Sequence, residues 1–529
     1  MKNRKVIRSA GVVGGFTLLS RGLGMLRDVL IAFWFGTSVQ ASAFFVAFTI
    51  PNLFRRLFGE GALSAAFIPV LIETRKRDGE AAAWKMTSKV ATIVFSLLFV
   101  IAVSGVFCFS MALHLPGLGE KWAATFALSR IMFPYVLFIC LAALAMAILN
   151  SYRHFATSAF APSLLNLILI GTMLGLFPLL AERPETRSTT LAWAVLAAGV
   201  AQLAIQIPAL RRFGCPCRPA GQWNDPRIRQ MLLLMGPATL GMAVTQLNVL
   251  FDRLLAMWIG PWAPAALFYS ERMIYFPLGV IATAMGTVLL PTFSVHASED
   301  DADAMRDVIS HSLRHLLFIM MPAALGLFVL APDILSVLFE WGGRFDAGSS
   351  LLAARALRAY AFGLVVFSAA KVFVPAFYAM KDTRTPVRIG IWTVALNLTL
   401  NLLFILTLPP YWKHAGMALA TVLAEAAGAG VLVVVLAKRV KGLPVGELIA
   451  SLLRSMALAL PAIAAAWAVN RFAGAALLDH VPDKAAHVLA LLSALATGIA
   501  VYPALALLFR VPELGEIAGA LRPSGRATP

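Results

Sequence analysis

Seven basic side chains, Arg21, Arg27, Arg55, Arg56, Arg253, Arg272 and Lys371, fall inside stretches otherwise apolar enough to lie in a membrane. The acids in those stretches are Asp28, Glu60, Asp252, Glu271 and Glu425, so cations are in excess. A basic group at the centre of a lipid-facing helix costs about 2.5–3.5 kcal/mol, which puts the set on the order of 20 kcal/mol. These groups must therefore face a cavity or one another. Arginine dominates, and its planar fork matches two phosphate oxygens at once. A cationic cavity of that make-up takes an anion, a phosphate or diphosphate.

Spacing indicates which groups meet. Arg56 and Glu60 share a helix face, as do Arg21 and Asp28. Asn52 and Arg55, three apart, bring an amide to a guanidinium. Arg21 and Arg27 lie about 120° apart on an ideal helix. They converge on one ligand only if the helix bends, and Gly22 and Gly24 offer a place for that. The competing reading makes these arginines salt-bridge partners, or side chains that snorkel to the interface. It is adopted for Arg253, beside Asp252; Lys371 is left between the two, and Arg27, Arg55 and Arg272 are assigned to a ligand.

The elements that hold these residues follow from composition. The chain has 529 residues, 60% hydrophobic and 13% charged, with a mean hydropathy of +0.82. That describes an all-α integral membrane protein. Runs such as VATIVFSLLFVIAVSGVFCFSMAL (90–113) do not alternate and so are helices, not barrel strands. The basic start MKNRKVIRSAGVVGGFTLLSRG has no A-x-A-like site after its apolar run and reads as a retained first helix.

Hydropathy predicts fourteen transmembrane helices near 9–36, 40–72, 88–113, 126–150, 158–181, 189–211, 229–260, 263–295, 308–331, 351–380, 387–409, 414–437, 447–470 and 486–509. With both termini cytoplasmic, roughly 27 of the 44 Lys and Arg fall inside and about 10 outside. The net charge of +18 is thus topological. Basic loops facing anionic lipid headgroups account for it, and nucleic acid is not implied.

LRDVLIAFWFG (26–36) and FDRLLAMWIG (251–260) each join an acid–base pair, an apolar run and W-x-G; Pro51 and Pro277 follow at comparable distances. Six helices separate them, which predicts two six-helix lobes, 1–220 and 221–440, in a parallel pseudo-two-fold repeat. Two further helices and a cytoplasmic tail occupy 441–529. Such repeats belong to alternating-access transporters with the site between lobes.

Other motifs carry little chemistry. Cys108 and Cys140 lie in spans, while Cys215 and Cys217 form a C-P-C without metal or redox spacing. His311 and His315 are four apart but lack the Glu of H-E-x-x-H, and read as a solvated face. There is no Walker A loop and no G-x-G-x-x-G, so the chain does not read as a nucleotide-hydrolysing enzyme.

The stretches SRGLGMLRD (20–28), FFVAFTIPNLFRRLFGEGALSAAFIPVL (44–71), ERMIYFPLGVIATAMGTVLLPTFS (271–294) and KVFVPAFYAMKDTRTPVRI (371–389) resemble the MurJ/MviN family of lipid II flippases, in the multidrug/oligosaccharidyl-lipid/polysaccharide exporter superfamily. The resemblance runs along the whole chain. It implies a bacterial inner-membrane protein of peptidoglycan synthesis that carries undecaprenyl-diphosphate-linked disaccharide-pentapeptide from the inner to the outer leaflet. It implies diphosphate-binding roles for Arg21, Arg27, Arg55 and Arg272, and supporting or gating roles for Ser20, Gly24, Asp28, Asn52 and Glu60. Arg56 and Glu271 join that supporting set from the residue reading. The resemblance also implies a groove for the polyprenyl tail on the last two helices.

Two positions depart from the family pattern: Ser42 stands where aspartate is common, and Tyr275 where Glu or Gln is common. An ion-coupling role for either does not carry over. Expected partners are lipid II, membrane lipids, and cell-wall synthesis and division proteins, with function as a monomer. No cofactor is expected; the membrane potential or an ion gradient supplies the drive. The alternatives are a flippase for another polyprenyl-diphosphate glycan, a multidrug antiporter of the same superfamily, and a non-transporting scaffold. An antiporter of cations would want unpaired acids in place of the excess of arginine.

Overall fold

The computed structural model describes residues 2–59, 62–180, 182–215, 220, 225–440, 442–478 and 480–521, and no strand occurs among them. The chain forms two compact units, Met1–Ala265 and Ala266–Pro529. The first contains α1 (Lys2–Phe35), α2 (Val39–Phe54), a π-helix (Arg55–Gly59), α3 (Ala62–Ala112), α4 (Glu120–Met132), α5 (Tyr135–Ser151), α6 (Phe155–Gly171), α7 (Pro184–Ala204), α8 (Ile207–Arg212) and α9 (Pro226–Ile259). Next come α10 (Ala263–Pro277), a π-helix (Leu278–Ala282), α11 (Thr283–Ser298), α12 (Ala302–Val329), α13 (Ala331–Phe339) and α14 (Ala347–Ala379). The chain continues through α15 (Arg384–Thr407), α16 (Lys413–Arg439), α17 (Val445–Leu478), α18 (Asp483–Leu508) and α19 (Pro512–Leu521).

Local chemistry sets the breaks. Ser38 caps α2 by accepting from the Ala41 N–H, and Asp346 caps α14 by accepting from Ser349 at 2.8 Å. Gly79 interrupts α3 at φ 86°, ψ 175°, outside the helical basin and accessible to glycine without strain. α4 and α5 meet at Phe133–Pro134 with a bend of 43°. The two W-x-G glycines differ: Gly36 has φ 54°, whereas a Cβ on Gly260 would lie 2.8 Å from the Trp262 indole nitrogen. The sequence match there does not extend to the same turn.

Ten helices among the described residues are long and apolar enough to cross a membrane, eleven if α4 and α5 form one bent span. The chain is therefore a multi-pass membrane protein. The expected spans outside that census are 9–36, 40–72 and 263–295, which carry Arg21, Arg27, Arg55, Arg56 and Arg272. The last two are divided by π-helices after Pro51 and Pro277.

Apolar side chains lie outward as well as inward. Phe95, Leu97, Phe99, Val100, Val103 and Phe107 of α3 are all exposed, as lipid solvation demands. Inside the first unit, Phe67, Leu71, Trp84, Leu144, Ile148 and Leu210 knit α3, α5 and α8 together. In the second, Phe318 packs with Leu458, Ala462 and Tyr502, whose hydroxyl donates to the Phe318 carbonyl at 2.7 Å.

A charged clasp closes the loop between α14 and α15. The Asp382 carboxylate accepts from the Thr385 hydroxyl at 2.6 Å and from its N–H at 3.0 Å, and pairs with Arg439 at 2.6 Å. The Thr385 bonds, with Arg439 adding its charge, hold the carboxyl down at about 2. An unfolded aspartate titrates near 3.9, so this stabilisation is complete above about pH 4 and lost as pH falls through about 2. Melting temperature measured from pH 5 to 2 should fall more steeply for the parent than for Asp382→Asn. Parallel curves would remove the clasp from the account.

Candidate functional site

Arg27 is the most firmly held of the site arginines. It is 9% exposed and Asp28 is 1% exposed. Its Nε and Nη2 both donate to Asp28 Oδ1, at 2.9 and 2.6 Å, and Nη1 donates to Asn166 Oδ1 at 2.9 Å. Asn166 Nδ2 in turn donates to the Ser20 carbonyl at 3.0 Å. A Cβ on Gly24 would stand 3.6 Å from Asn166 Nδ2, in ordinary contact, so Gly24 lies beside this amide. The pairing on Asp28 is thus with its neighbour and not with Arg21, seven residues back. Arg21 is exposed, on a different face of α1 from Arg27 as their spacing requires. α1 runs unbroken through Gly22 and Gly24.

At the end of α2, Arg55 Nε donates to Asn52 Oδ1 at 2.9 Å, the contact expected from their spacing. Arg55 opens the π-helix that follows Pro51. A proline cannot donate to the preceding turn, and π-turns recur at functional sites because the extra residue re-aims side chains. The Cys140 thiol approaches the Phe54 carbonyl at 3.7 Å. Arg56 reaches Gln246 Oε1 at 3.5 Å, at the long limit for a hydrogen bond. Its expected partner Glu60 lies outside the described residues, as does Cys217.

In the second unit, Tyr360 donates to Glu271 Oε1 at 3.1 Å. The Arg272 guanidinium lies over the Phe268 ring, 4.7 Å from its centroid, in cation–π geometry. Both are half-buried on α10, just before the π-helix that follows Pro277. Lys371 and Tyr275 are exposed, and Glu425 is half-buried.

Other residues hold the frame. Arg253, 6% exposed, donates to the Pro264 carbonyl at 3.2 Å and so ties the end of α9 to the start of α10. Ser42 is fully buried and accepts from the Ala265 N–H at 3.2 Å. That N–H lies in the first turn of α10 and has no intrahelical acceptor, so the serine satisfies it. Sequence reasoning missed Asn166, Gln246, Tyr360 and Phe268. A polar Asn or Gln within an apolar run was the signal for the first two.

The first unit groups Arg27 and Arg55 with the amides of Asn166 and Asn52, and the second holds Arg272 against Phe268 on α10. Guanidinium groups of this kind have the chemistry to hold an anion. The fold is shared with an inward-facing multidrug resistance MATE family transporter of the MOP superfamily, which aligns with a TM-score of 0.64 at 14% identity, covering 79% of this chain and 94% of that one. A lipid II flippase MurJ in an inward closed conformation aligns more fully, with a TM-score of 0.75, 25% identity and coverage of 94% and 98%.

The sequence comparisons agree. The family model for lipid II flippase MurJ matches residues 31–482. The lipid II flippase MurJ of Burkholderia cenocepacia is 36% identical over 423 residues, 78% of this chain and 80% of that protein. The probable lipid II flippase MurJ of Vibrio cholerae is 35% identical over 431 residues, 79% and 80% respectively. The chain belongs to the lipid II flippase MurJ family.

Proposed function

We propose that this protein is a lipid II flippase of the bacterial inner membrane. It carries the undecaprenyl-diphosphate-linked peptidoglycan precursor from the inner to the outer leaflet by alternating access. The observation that supports this beyond family membership is where the charge sits. Arg21 and Arg27 lie on α1, Arg55 opens the π-helix after α2, and Arg272 lies on α10, each within a stretch that is otherwise largely apolar.

In this reading the chain makes fourteen spans with both termini cytoplasmic. Lobes 1–220 and 221–440 are related by a parallel repeat, and 441–529 guides the lipid tail. Arg27, Arg55 and Arg272 take the diphosphate from the inner leaflet, with Arg21 at the entrance. Ser20, Gly24, Asp28, Asn52, Arg56, Glu60 and Glu271 support them. Neutralising the dianion lowers the barrier to its passage through low dielectric, and the tail stays in lipid. A monomer is sufficient, and cell-wall synthesis and division proteins are its partners.

The membrane potential, inside negative, drives the anion outward, at about 2.3 kcal/mol per charge for 100 mV. Collapsing the potential with an ionophore should slow flipping in cells. A rate indifferent to the potential would instead point to ion exchange as the drive.

The test of the function itself is flipping in cells depleted of their own flippase. Precursor reaching the outer leaflet is read by an externally added enzyme that cleaves it. Cleaved product on expression of this chain supports the proposal. A folded, membrane-inserted chain that yields none would make another polyprenyl-diphosphate glycan the cargo.

A further inference from the structure

His311 and His315 do not face solvent alone. The structure brings Glu516 of α19 against them, 201 residues along the chain from His315. Glu516 Oε2 lies 3.4 Å from His311 Nδ1 and 3.1 Å from His315 Nε2. The three ligand atoms lie within 4.8 Å of one another. We propose that these residues form a transition-metal site, a His₂Glu set for Zn²⁺ that fastens α19 to α12.

Three observations carry it. The first is size. Tetrahedral zinc with bonds of about 2.0–2.1 Å separates its ligands by about 3.3 Å, so two edges of the site are already at ligand spacing. The second is the state of the imidazole. His315 Nδ1 lies 2.8 Å from the His311 carbonyl, and only the Nδ1–H tautomer can donate there. With Nδ1 committed to that carbonyl, Nε2 is the nitrogen left to bind a metal beside Glu516, the outer-sphere arrangement that orients zinc-binding histidines. The third is local charge. Arg314, one residue from His315, is paired with Glu513 at 3.0 Å, and Arg454 approaches the same carboxylate at 3.8 Å. Glu513 thus occupies the nearest cations and leaves Glu516 to the histidines.

The donor set selects among metals. Two imidazoles and one carboxylate suit Zn²⁺, Co²⁺ or Ni²⁺ rather than Mg²⁺ or Ca²⁺, which take oxygen ligands. Three protein ligands leave a fourth position for water. A cavity of about 510 Å³ opens beside His311, lined also by Arg306, Asp307, Ser310, Arg314 and Glu447. Ser451 also donates to Glu513 at 3.1 Å, so α19 is already anchored before metal arrives.

The experiment uses the full chain, purified in detergent without a polyhistidine tag and stripped with chelator. Zn²⁺ should bind at one equivalent, and Co²⁺ in its place should give the visible absorption of a tetrahedral site. Both should fall at least tenfold in affinity for His315→Ala and Glu516→Gln. Exposed His311 offers a substitution that keeps the fold, and His311→Ala should weaken binding with an unchanged melting temperature in chelator. Zn²⁺ should raise the melting temperature of the parent only. A parent that binds no Zn²⁺ at micromolar concentration, or variants that bind as the parent does, would overturn the site. Binding is read without transport, so either result is independent of the flippase proposal.

Discussion

Arg27→Ala should abolish flipping and weaken the fold together. The substitution leaves the Asp28 carboxylate, 1% exposed, without the guanidinium that donates to it twice. Removing one member of a buried ion pair is strongly destabilising, up to about 3–5 kcal/mol. A lowered melting temperature in detergent is therefore expected beside lost transport. A second variant separates the two effects. Arg27→Met with Asp28→Leu removes both charges and should recover most of the melting temperature, because apolar groups of similar volume often replace a buried pair without loss. It should not recover flipping. A double variant that transports would make Arg27 a structural residue only.

Arg55→Ala and Arg272→Ala should separate transport from stability in the single substitution. Neither arginine is fully buried: Arg55 leans on Asn52, and Arg272 lies over the Phe268 ring. Each hydrogen bond to a charged group is worth about 1.5–3 kcal/mol, or about ten- to hundred-fold in rate or affinity. Flipping in depleted cells should fall by that factor for each, with melting temperatures near that of the parent. Lysine at either position should rescue only partly, since an ammonium keeps the charge and loses the fork. Full activity in both alanine variants would move the diphosphate elsewhere.

Local geometry explains what could be read from the sequence. Asn52 and Arg55 are three apart on a helix, and they meet. Arg21 and Arg27 fall on different faces, one exposed and one buried. The partner of Asp28 was not readable in the same way. Helix spacing favours residues three, four or seven apart, yet the long Arg27 side chain folds back onto its own neighbour. Asn166 and Glu516 come from distant segments that only the tertiary fold brings into contact. His311 and His315 looked incomplete because their carboxylate is not on their helix.

Pro51 and Pro277 were visible as places where a helix can yield. Their outcome as π-helices was not, since that depends on where the extra residue can be accommodated. Ser42 shows how a departure from a family pattern acquires a job: it satisfies an N–H at the start of α10.

The Arg27–Asp28 pair also bears on how the chain enters the membrane. It needs one residue of separation, while the bond to Asn166 needs 139. At about 5–20 residues per second, synthesis delivers α6 on the order of ten seconds after α1. During that interval the two adjacent charges can neutralise each other, so α1 presents the insertion machinery with a dipole instead of a bare cation. The amide arrives later and fixes the guanidinium's direction. Reversing the order of the pair, as in the FDR of α9, would keep that early neutrality. Separating the two residues by a turn would still pair them. Moving the acid onto another helix would leave Arg27 alone in the bilayer until that helix was made.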